Sequence, residues 1–570
     1  MTSTSGGWSR DASVLKGTYE VVIIGAGITG IWSAVELARR GVTVLVLDKG
    51  DVGSGTSSAT TKFIHGGLRY LEQGDVVTVA ESVRERRMLA AAAPGLVAPQ
   101  RFLLPVWEWT RPSAPLIGLG LTIYESLALG RNRGLPVASR VPRAHWLSAR
   151  ATLNAVPWLR PEGLRGSFAY YDMANVHPER LLLTITRTAL DQGARILTYA
   201  PVRRITTASH GSTDVVNGVD FLDLLTGVEH HVSARYVVNA AGPWADIALG
   251  DLGERVGLRV KRAKGVHMLT RALGGSDAVF ARTRSGRHVV VSPWQGNSFI
   301  GPTDTPVEDG PDDVAVDVAD VEDLIEAVGD ISVRTPGPGD ILGATVGVRP
   351  LIHDGREGSY ATSRRHRLHH HERHGLKGML SVTGGKWTTG HAVGVDVADA
   401  VTRSLGIHSR GRAGIDLHGT LSTTSHEEAR TEILSTGVLP PPTVDYLLRL
   451  YGVHTLDIHR LVVDDPRLGA PVVNEPHRRD ILAQAIYAAT DEGAVTLEDV
   501  LMRRLVAGTQ GRLPVESVAR VGEAIAPMLG WDRYRCESEV DTHVARAREL
   551  DAVIAHWQSL KEAHTSKEGA

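Results

Sequence analysis

The chain has 570 residues but only one cysteine, Cys536, and a formal net charge of -2. A single cysteine excludes a disulfide framework within the chain and fits a reducing compartment. The near-zero charge gives no electrostatic reason to expect nucleic acid as a partner. The N-terminal stretch MTSTSGGWSRDAS lacks the apolar centre of a signal peptide, and we expect a frayed tail. These features favour a cytoplasmic protein, and the length suits two to four domains.

Long apolar runs are also missing. The most apolar window, residues 114–129 (APLIGLGLTIYESLAL), is interrupted by glycines and Glu125 and is too short to span a bilayer. We expect a buried helix there. The alternative is a helix whose exposed face meets a membrane surface or a partner.

The stretch with the clearest chemistry is residues 19–48, YEVVIIGAGITGIWSAVELARRGVTVLVLD. A β-branched run ends in a GxGxxG turn, a helical pattern follows, and a second run closes on an acid, which is typical of a dinucleotide-binding βαβ unit. Gly25 allows the tight turn, Gly27 the approach of a pyrophosphate, and Gly30 close packing of helix on strand. Asp48 is placed to accept a ribose hydroxyl. The predicted contacts are Gly25, Ala26, Gly27, Ile28, Thr29, Gly30 and Asp48, and nothing in this unit separates FAD from NAD.

A long polar loop, DVGSGTSSATTKFIHGGLRYLEQGD at 51–75, follows this unit. Such loops are uncommon inside compact domains unless they bind a ligand. Its amides and hydroxyls could surround a pyrophosphate and the edge of a flavin. The predicted cofactor contacts in it are Thr56, Ser57, Ser58, Thr61, His65, Gly66, Gly67 and Leu68.

Two more strands end in glycine turns, in ARYVVNAAGPWAD at 234–246 and LSVTGGKWTTG at 380–390. Three such turns far apart imply a nucleotide domain assembled from separate segments. This favours FAD over NAD, because a long, buried flavin needs contacts from several segments. The predicted contacts outside the first unit and its loop are Val202, Ala241, Gly242, Trp244, Gly385, Lys386 and Thr388.

The predicted fold class is α/β: a discontinuous FAD-binding Rossmann-like domain, an inserted antiparallel substrate sheet and a C-terminal helical domain. Alternating strands between 260 and 304 indicate the antiparallel sheet. The predicted limits are 18–100, 158–255 and 341–410 for the FAD-binding domain, 101–157 for a segment leading into the substrate domain, 256–340 for the substrate sheet and 420–560 for the helical domain.

Three cationic side chains closely follow glycines. Arg69 comes after Gly66-Gly67, Arg349 after Gly347 and Lys386 after Gly384-Gly385. Cations that converge on one pocket repel one another unless an anion arrives, so we expect a small, strongly anionic substrate. For each residue alone, a surface salt bridge is the alternative.

His267, in KRAKGVHMLT, lies in the expected substrate sheet. A neutral imidazole suits a base that takes a hydroxyl proton, although a structural histidine is the alternative. Arg349 is a poor base because guanidinium stays protonated, so we assign it to orienting the anion or polarising the oxygen. The consecutive histidines of RRHRLHHHERHG at 364–375 alternate faces, and no nearby carboxylate or thiol completes a plausible site with them, so we expect a solvated hairpin and no metal.

Taken together, VVIIGAGITG, TSSATTKFIHGGLRYLEQG, VNAAGPW, KGVHMLT, GVRPL and GGKWTT resemble the respiratory, FAD-dependent glycerol-3-phosphate dehydrogenases. The resemblance covers about 19–401, and the remainder is similar to that family's C-terminal domain. It implies a fold like that of D-amino-acid oxidase and glycine oxidase, non-covalent FAD, and oxidation of sn-glycerol 3-phosphate to dihydroxyacetone phosphate. It also implies a quinone acceptor, association with the inner-membrane surface and, often, a homodimer.

The resemblance also assigns residues. Arg69, Tyr70, His267, Arg349 and Lys386 match family substrate-site positions, and Arg364 matches a further arginine. Three motifs depart from the family: GPTD at 301–304, HPER at 177–180, and Gly390-His391 where a tyrosine is usual.

Three alternatives stay open at this point. The first is an enzyme of the same fold that acts on an amine or a 2-hydroxy acid. The second is a glycerol 3-phosphate oxidase that uses oxygen. The third is a non-catalytic flavin-binding regulatory protein.

Overall fold

A computed structural model describes residues 8, 10, 17–211, 213–308, 310–351, 365–408 and 414–568. The strands are β1 (Tyr19–Ile24), β2 (Val44–Leu47), β3 (Phe63–Ile64), β4 (Val97–Trp107), β5 (His145–Ser148), β6 (Leu164–Asn175), β7 (Arg195–Leu197), β8 (Val202–His210), β9 (Thr213–Asp223), β10 (Val228–Asn239), β11 (Lys261–Thr270), β12 (Ala278–Arg282), β13 (His288–Trp294), β14 (Asn297–Gly301), β15 (Thr305–Val307), β16 (Ile341–Leu351), β17 (Arg367–His370), β18 (Leu376–Lys377) and β19 (Met379–Thr383). The α-helices are α1 (Ile28–Ala38), α2 (Val76–Ala92), α3 (Ala114–Leu127), α4 (Ala149–Ala155), α5 (Pro178–Asp191), α6 (Leu252–Val256), α7 (Val318–Ile331), α8 (Gly390–Leu405), α9 (Thr423–Ser435), α10 (Pro441–Tyr451), α11 (Thr455–Asp464), α12 (Leu482–Asp491), α13 (Leu497–Asp499), α14 (Val515–Leu529) and α15 (Arg533–Glu568).

The first sheet carries the dinucleotide unit. Its main path runs β17-β19-β10-β1-β2-β7, and the pairs from β19 to β7 are parallel. The β-branched run of β1 is buried on both faces between α1 and the layer of β8 and β9, as expected for a central parallel strand. Because β1, β10 and β19 are neighbours and parallel, their carboxyl ends lie at one edge. The three glycine turns that follow these strands therefore meet there, as predicted.

The second sheet runs β15-β11-β14-β13-β12-β4-β6-β3, with β16 on β11 and β5 on β6. The alternating strands predicted between 260 and 304 are confirmed as its antiparallel part. Its limits differ from those predicted, because β4, β6 and β16 also belong to it. Segments 18–100, 158–255 and 341–410 are thus divided between the sheets, and the strands of 101–157 belong to the second sheet. Pairing between distant segments leaves no mark in local periodicity, so the sequence pattern did not show it.

Helix α3 contradicts the expectation of a buried helix at 114–129. Only Leu121 and Tyr124 of α3 are buried. They pack towards α2 and the short helix Leu68–Gln73, whereas the remaining apolar side chains face outwards or are half-buried. An apolar run of this length predicts a helix but not how much of it the rest of the fold covers.

The C-terminal helices form a separate layer that touches both sheets. Arg503 and Arg504, in a π-helical turn (Val500–Arg504), reach the buried carboxylate of Asp51 in the loop after β2. At the other end of the layer, Trp557 of α15 is fully buried against α7 and the second sheet. None of the described helices combines the length and the apolar character needed to cross a bilayer.

The described part of the histidine-rich stretch forms one arm of an antiparallel pair, as expected for a hairpin, but it is only partly solvated. β17 pairs antiparallel with β19, and His371 is buried with Nε2 2.8 Å from Ser381 Oγ. His369 is likewise 2.8 Å from Thr383 Oγ1. Hydroxyls of the neighbouring strand β19 thus hold both histidines in place. The alternation of side chains between the two faces of a strand did not predict these contacts.

Candidate active site

The glycine turn after β1 forms a tight cradle. A residue larger than glycine would not fit at Gly25 or Gly30. Gly25 has φ +106°, and a Cβ there would stand 2.7 Å from the carbonyl oxygen of Ala240. A Cβ on Gly30 would clash with the carbonyl oxygen of Gly25. The cradle therefore places the N-terminus of α1, with Ala26 to Thr29, beside Ala241 and Gly242. This is the arrangement that binds a pyrophosphate.

Asp48 closes the other side of the cradle. Its carboxylate accepts the N–H of Ala26 at 2.6 Å and the N–H of Gly50 at 2.8 Å. Burial raises the pKa of Asp48 to about 6, against the effect of these hydrogen bonds. The backbone of Ala200, two residues before the predicted contact Val202, donates to the carbonyl of Asp48. Trp244, in the turn after β10, has its ring centre 4.1 Å from Lys49 Nζ.

The hydroxyls of the long loop are mostly engaged by the protein. Thr56 donates to the carbonyl of Val348 at 2.6 Å, and Ser58 donates to that of Gly53 at 2.6 Å. Ser57 Oγ accepts the N–H of Ile28 at the start of α1, so its own hydrogen remains to donate. Thr61, half-buried, precedes the Lys62–Glu179 ion pair.

One cationic cluster surrounds Tyr70. Lys386 Nζ lies 4.3 Å from the Tyr70 ring centre and Arg69 Cζ lies 5.6 Å from it. The His65 ring is stacked with the Tyr70 ring at 6.4 Å. Burial, with the charges of Lys386 and Arg69, lowers the pKa of His65 to about 4. Lys386 also donates to Ser82 Oγ. The structure thus brings together four residues that the sequence analysis had singled out: His65, Arg69, Tyr70 and Lys386.

His267 and Arg349 form a second cluster on β11 and β16. The His267 ring is 4% exposed and stacks on Phe299, with ring centres 4.9 Å apart and planes 5° apart. Neither of its ring nitrogens has a hydrogen-bond partner among the described residues. Burial lowers the pKa of His267 to about 3, and the charges of Arg349 and Lys62 act in the same direction. A buried polar ring without partners indicates a site that a ligand completes.

Arg349 is already partly neutralised. Its guanidinium lies over Gly265, donates to Asp304 Oδ1 at 2.6 Å and donates to the carbonyl of Thr303 at 2.9 Å. For Arg349 the structure thus shows the alternative considered for each cation, a salt bridge within the protein. Asp304 belongs to the GPTD motif, whose departure from the family thus leaves this carboxylate in place. Arg364, the sixth predicted substrate residue, lies outside the described residues.

Segment 56–65 connects the two clusters. At one end, Thr56 and Ala59 contact Val348 and Gly347, next to Arg349. In the middle, the carbonyl of Ser57 accepts the indole N–H of Trp387, 3.2 Å away. At the other end, the N–H of His65 donates to Thr388 Oγ1 at 3.2 Å. The turn with Gly385 and Lys386 and the strand with Arg349 thus face the same loop.

Sequence reasoning missed the support behind the Tyr70 cluster. Asp172, buried on β6, accepts the N–H of Gly66 at 2.9 Å, accepts the hydroxyl of Tyr124 at 2.9 Å and pairs with buried Arg86. Gly67 and Leu68 follow this anchored residue. A lone acid in the otherwise apolar strand GSFAYYDMAN was the available signal.

His391, at a position that departs from the family, lies between two buried carboxylates. Its Nδ1 is 2.9 Å from Glu85 and its Nε2 is 3.6 Å from Glu36. Burial alone would lower the pKa of His391, but hydrogen bonds to Glu36 and Glu85 raise it to about 9. The imidazolium therefore joins α1, α2 and α8 behind the glycine turns.

Comparisons with known proteins agree with this geometry. A model of the FAD-dependent oxidoreductase family matches residues 20–391, and one of the C-terminal domain of alpha-glycerophosphate oxidase matches residues 413–536. Glycerol-3-phosphate dehydrogenase 2 of Mycobacterium tuberculosis is 31% identical over 93% of this chain and 88% of the relative. Glycerol-3-phosphate dehydrogenase of Synechocystis is 29% identical over 92% of this chain and 95% of the relative.

A solved structure extends the agreement to the fold. The glycerol-3-phosphate dehydrogenase of Bacillus halodurans, complexed with FAD, superposes with a TM-score of 0.71 at 24% identity and covers 95% of both chains. The predicted fold class is confirmed. The chain is thus a member of the FAD-dependent oxidoreductase family, in its glycerol-3-phosphate dehydrogenase branch, and its cofactor is FAD.

Proposed function

We propose that this chain oxidises sn-glycerol 3-phosphate to dihydroxyacetone phosphate and passes the electrons to a membrane quinone. The observation that carries the substrate assignment is the placement of Arg69 and Lys386 against Tyr70, beside the glycine turns. Two cations on one aromatic ring suit a phosphate dianion, which can accept a charge-assisted hydrogen bond from each. The names of the M. tuberculosis and Synechocystis relatives support the same substrate.

In this proposal the cofactor is held by the residues around the glycine cradle. The amides of the turn and Ser57 face the pyrophosphate, and Asp48 accepts a ribose hydroxyl. The loop with Trp244 covers the same end of the cofactor, and the turn with Gly385 and Thr388 contacts the flavin. Bound FAD supplies the two-electron acceptor for the reaction.

In this proposal the substrate is oriented at two points, its phosphate and the oxygen on C2. Arg69 and Lys386 hold the phosphate. Arg349 donates to the oxygen on C2, since a guanidinium can only donate, and Asp304 fixes the plane of that guanidinium. Arg364 is proposed as a further substrate contact. Because two fixed points orient the substrate, proximity contributes most of the rate.

His267 accepts the proton of the C2 hydroxyl in this proposal. Its low pKa keeps the imidazole neutral, and its unpartnered nitrogens leave a lone pair for the incoming hydroxyl. Arrival of the anionic substrate in the site raises the pKa of His267, which favours the transfer. His65 is the second candidate for this role, because it is also neutral and lies in the cluster that holds Lys386.

Anaerobic mixing tests the substrate. Addition of sn-glycerol 3-phosphate to the FAD-loaded protein should bleach the flavin band at about 450 nm, and sarcosine, glycine and 2-hydroxyglutarate should not. Bleaching by one of those three but not by sn-glycerol 3-phosphate would refute the assignment. Bleaching by none of them would favour a non-catalytic flavoprotein.

A second experiment tests the acceptor. The matching C-terminal family model is named for an oxidase, so oxygen is the specific rival to a quinone. Re-oxidation of the bleached protein by a soluble quinone analogue, with little hydrogen peroxide formed in air, would support a dehydrogenase. Stoichiometric peroxide would identify an oxidase.

A further inference from the structure

A polar cavity of about 410 Å³ lies where the second sheet meets the C-terminal layer. The sheet contributes the turn between β13 and β14 and the neighbouring ends of β11 and β16, and the C-terminal layer contributes segments 475–478 and 510–512. We name this space the junction cavity. The side chains with nitrogen donors in its wall are Arg271, Gln295, Asn297, His477, Arg478, Gln510 and Arg512. No residue assigned above to FAD or to the substrate is among these described lining residues.

Positive charge exceeds negative charge in the wall of the junction cavity. The described residues of the wall include three arginines but a single acid, Glu475. Within the part of the chain that the structure describes, the guanidinium of Arg271 has neither a hydrogen bond nor an ion pair. Cations that converge on one cavity repel one another unless an anion arrives, so the charge of the wall favours an anionic ligand.

The other two arginines are held in place by backbone carbonyls. Arg478 donates to the carbonyl of Arg512 at 3.1 Å, and Arg512 donates to the carbonyl of Ile341 at 2.9 Å. Their carboxylate partners, Glu475 and Asp551, are each more than half exposed. Ion pairs with exposed partners contribute little to stability, so an incoming anion can replace them. The guanidinium groups are therefore already positioned for a ligand.

Two observations indicate that the protein itself does not fully compensate these guanidinium groups. Nε of Arg512 is buried and has no hydrogen-bond partner among the described residues. Burial lowers the pKa of Arg478, although the charges of Glu475 and Asp480 act in the opposite direction. A buried donor without a partner calls for a group that completes it. A phosphate fits this requirement, because a planar guanidinium binds it through two parallel hydrogen bonds.

A second cavity of about 410 Å³ adjoins the junction cavity and shares Arg271 and Arg512 with it. Its wall is more apolar and includes Ile341 of β16 with Ile554 and Ala555 of α15. A ligand whose phosphate lies at the shared arginines can therefore place an apolar organic group against α15. The two cavities together suit a phosphate monoester better than inorganic phosphate.

Two side chains connect the junction cavity with His267. Leu342 lines both cavities and packs with Phe299 in one apolar cluster, and Phe299 stacks on the His267 ring. Gln295 and Asn297, in the turn between β13 and β14, belong to the wall and lie close to Phe299 along the chain. A ligand that moves this turn therefore moves the ring against which His267 packs.

We propose that the junction cavity binds a small phosphate monoester that acts as an effector of the active site. The phosphate lies among the three arginines, and the organic group lies in the adjoining cavity. The turn between β13 and β14 transmits the occupancy to Phe299 and His267. The binding itself does not depend on the identity of the substrate, whereas the effector role rests on the proposed function.

Isothermal titration calorimetry of the FAD-loaded protein tests the binding, with phenyl phosphate and inorganic phosphate as ligands. Phenyl phosphate should bind more tightly than inorganic phosphate, and both should bind more weakly at high salt. Arg271→Ser should weaken the binding of phenyl phosphate at least about tenfold, because a charge-assisted hydrogen bond is lost. Because Arg271 is exposed, this variant should keep the melting temperature of the parent.

The control variant is Arg520→Ser, which should bind phenyl phosphate like the parent. Arg520 is exposed, belongs to the same layer and also donates to backbone carbonyls, those of Pro471 and Val472, but it lies outside both cavities. Binding that survives Arg271→Ser but is lost in Lys386→Ala would place phenyl phosphate in the active site and overturn the proposal. A parent that does not bind phenyl phosphate would overturn it as well.

Anaerobic flavin bleaching tests the effector role. With sn-glycerol 3-phosphate at saturation, phenyl phosphate should change the maximal rate of bleaching at least about twofold in the parent and in Arg520→Ser, but not in Arg271→Ser. An effect on the KM alone would show competition at the active site and overturn the effector role. A protein that binds phenyl phosphate through Arg271 but is not bleached by sn-glycerol 3-phosphate would refute the proposed function and leave the binding site intact.

Discussion

Asp51 offers a sharp test of how the C-terminal layer supports the cofactor site. Its side chain is fully buried, three residues after Asp48. Arg504, also fully buried, is 2.9 Å from Asp51 Oδ1, and Arg503 is 2.5 Å from Asp51 Oδ2. Burial alone would raise the pKa of Asp51, but the charges of Arg504 and Arg503 hold it below its usual range. The turn that includes Asp51 also bonds to Ala26, since the N–H of Gly53 donates to its carbonyl.

Asp51→Asn removes the carboxylate charge and leaves Arg504 buried without it. Arg503 retains the carboxylate of Asp499, whereas Arg504 retains only neutral acceptors, the carbonyl of Glu492 and the amide oxygen of the new asparagine. Loss of one partner of a buried ion pair costs about 3–5 kcal/mol, so we expect a fall in melting temperature of about 2–4 °C for a chain of 570 residues. Because the loop then loses its anchor, FAD should also dissociate more readily from the variant.

Thermal unfolding and the ratio of flavin to protein absorbance after gel filtration measure the two effects. Arg503→Met should be milder than Arg504→Met, because Arg503 is partly exposed. The double variant Asp51→Asn, Arg504→Met should be more stable than the sum of the single losses predicts, since it leaves no unpaired charge. An unchanged melting temperature and full FAD retention in Asp51→Asn would refute this reasoning. The contribution of Asp51 is present above the unfolded pKa of ~4 and is lost as pH falls below it.

Three further predictions concern side chains of the site. Lys386→Ala should raise the KM for sn-glycerol 3-phosphate about tenfold or more, because a charge-assisted hydrogen bond contributes about 1.5–3 kcal/mol; an unchanged KM would argue against a phosphate contact. His267→Asn should lower kcat about 10²-fold or more with a smaller change in KM if His267 is the base, and a parent-like kcat would transfer that role elsewhere. Hydrogen bonds to Glu36 and Glu85 raise the pKa of His391 to about 9. The stability that this pairing contributes is fully present below pH ~6.5 and is lost as pH rises through about 9. The parent should therefore lose more stability between pH 7 and 10 than His391→Gln does, as measured by urea unfolding at each pH, and parallel losses would contradict the assignment.

The parts of the site that the sequence predicted are those with a local physical requirement. Gly25 and Gly30 are needed because any Cβ there meets neighbouring backbone. Three strands that end in glycine turns predicted that these turns meet at one edge of a sheet, because parallel strands align their carboxyl ends. Arg69, Arg349 and Lys386 could be grouped because each closely follows a glycine. The roles of these residues in binding and of His267 as a base stay predictions.

Other features depend on contacts that local patterns do not contain. Asp51 and Arg504 are 453 positions apart, so no spacing rule joins them. The antiparallel pairing of β4 with β6, and of β16 with β11, moved three strands across the predicted domain limits. The apolar residues of α3 predicted a helix. Which of its side chains stay exposed depends on the elements that pack against the helix, and the local sequence does not specify these.

The two ends of the C-terminal layer limit how the substrate can enter. Arg504 is fixed to the cofactor loop, and Trp557 is buried against the sheet that carries His267. A hinge that opened the cofactor layer away from the substrate layer would have to expose Trp557 or separate a buried ion pair. We therefore expect access to the flavin to depend on local movement of side chains and loops, and not on separation of the two layers.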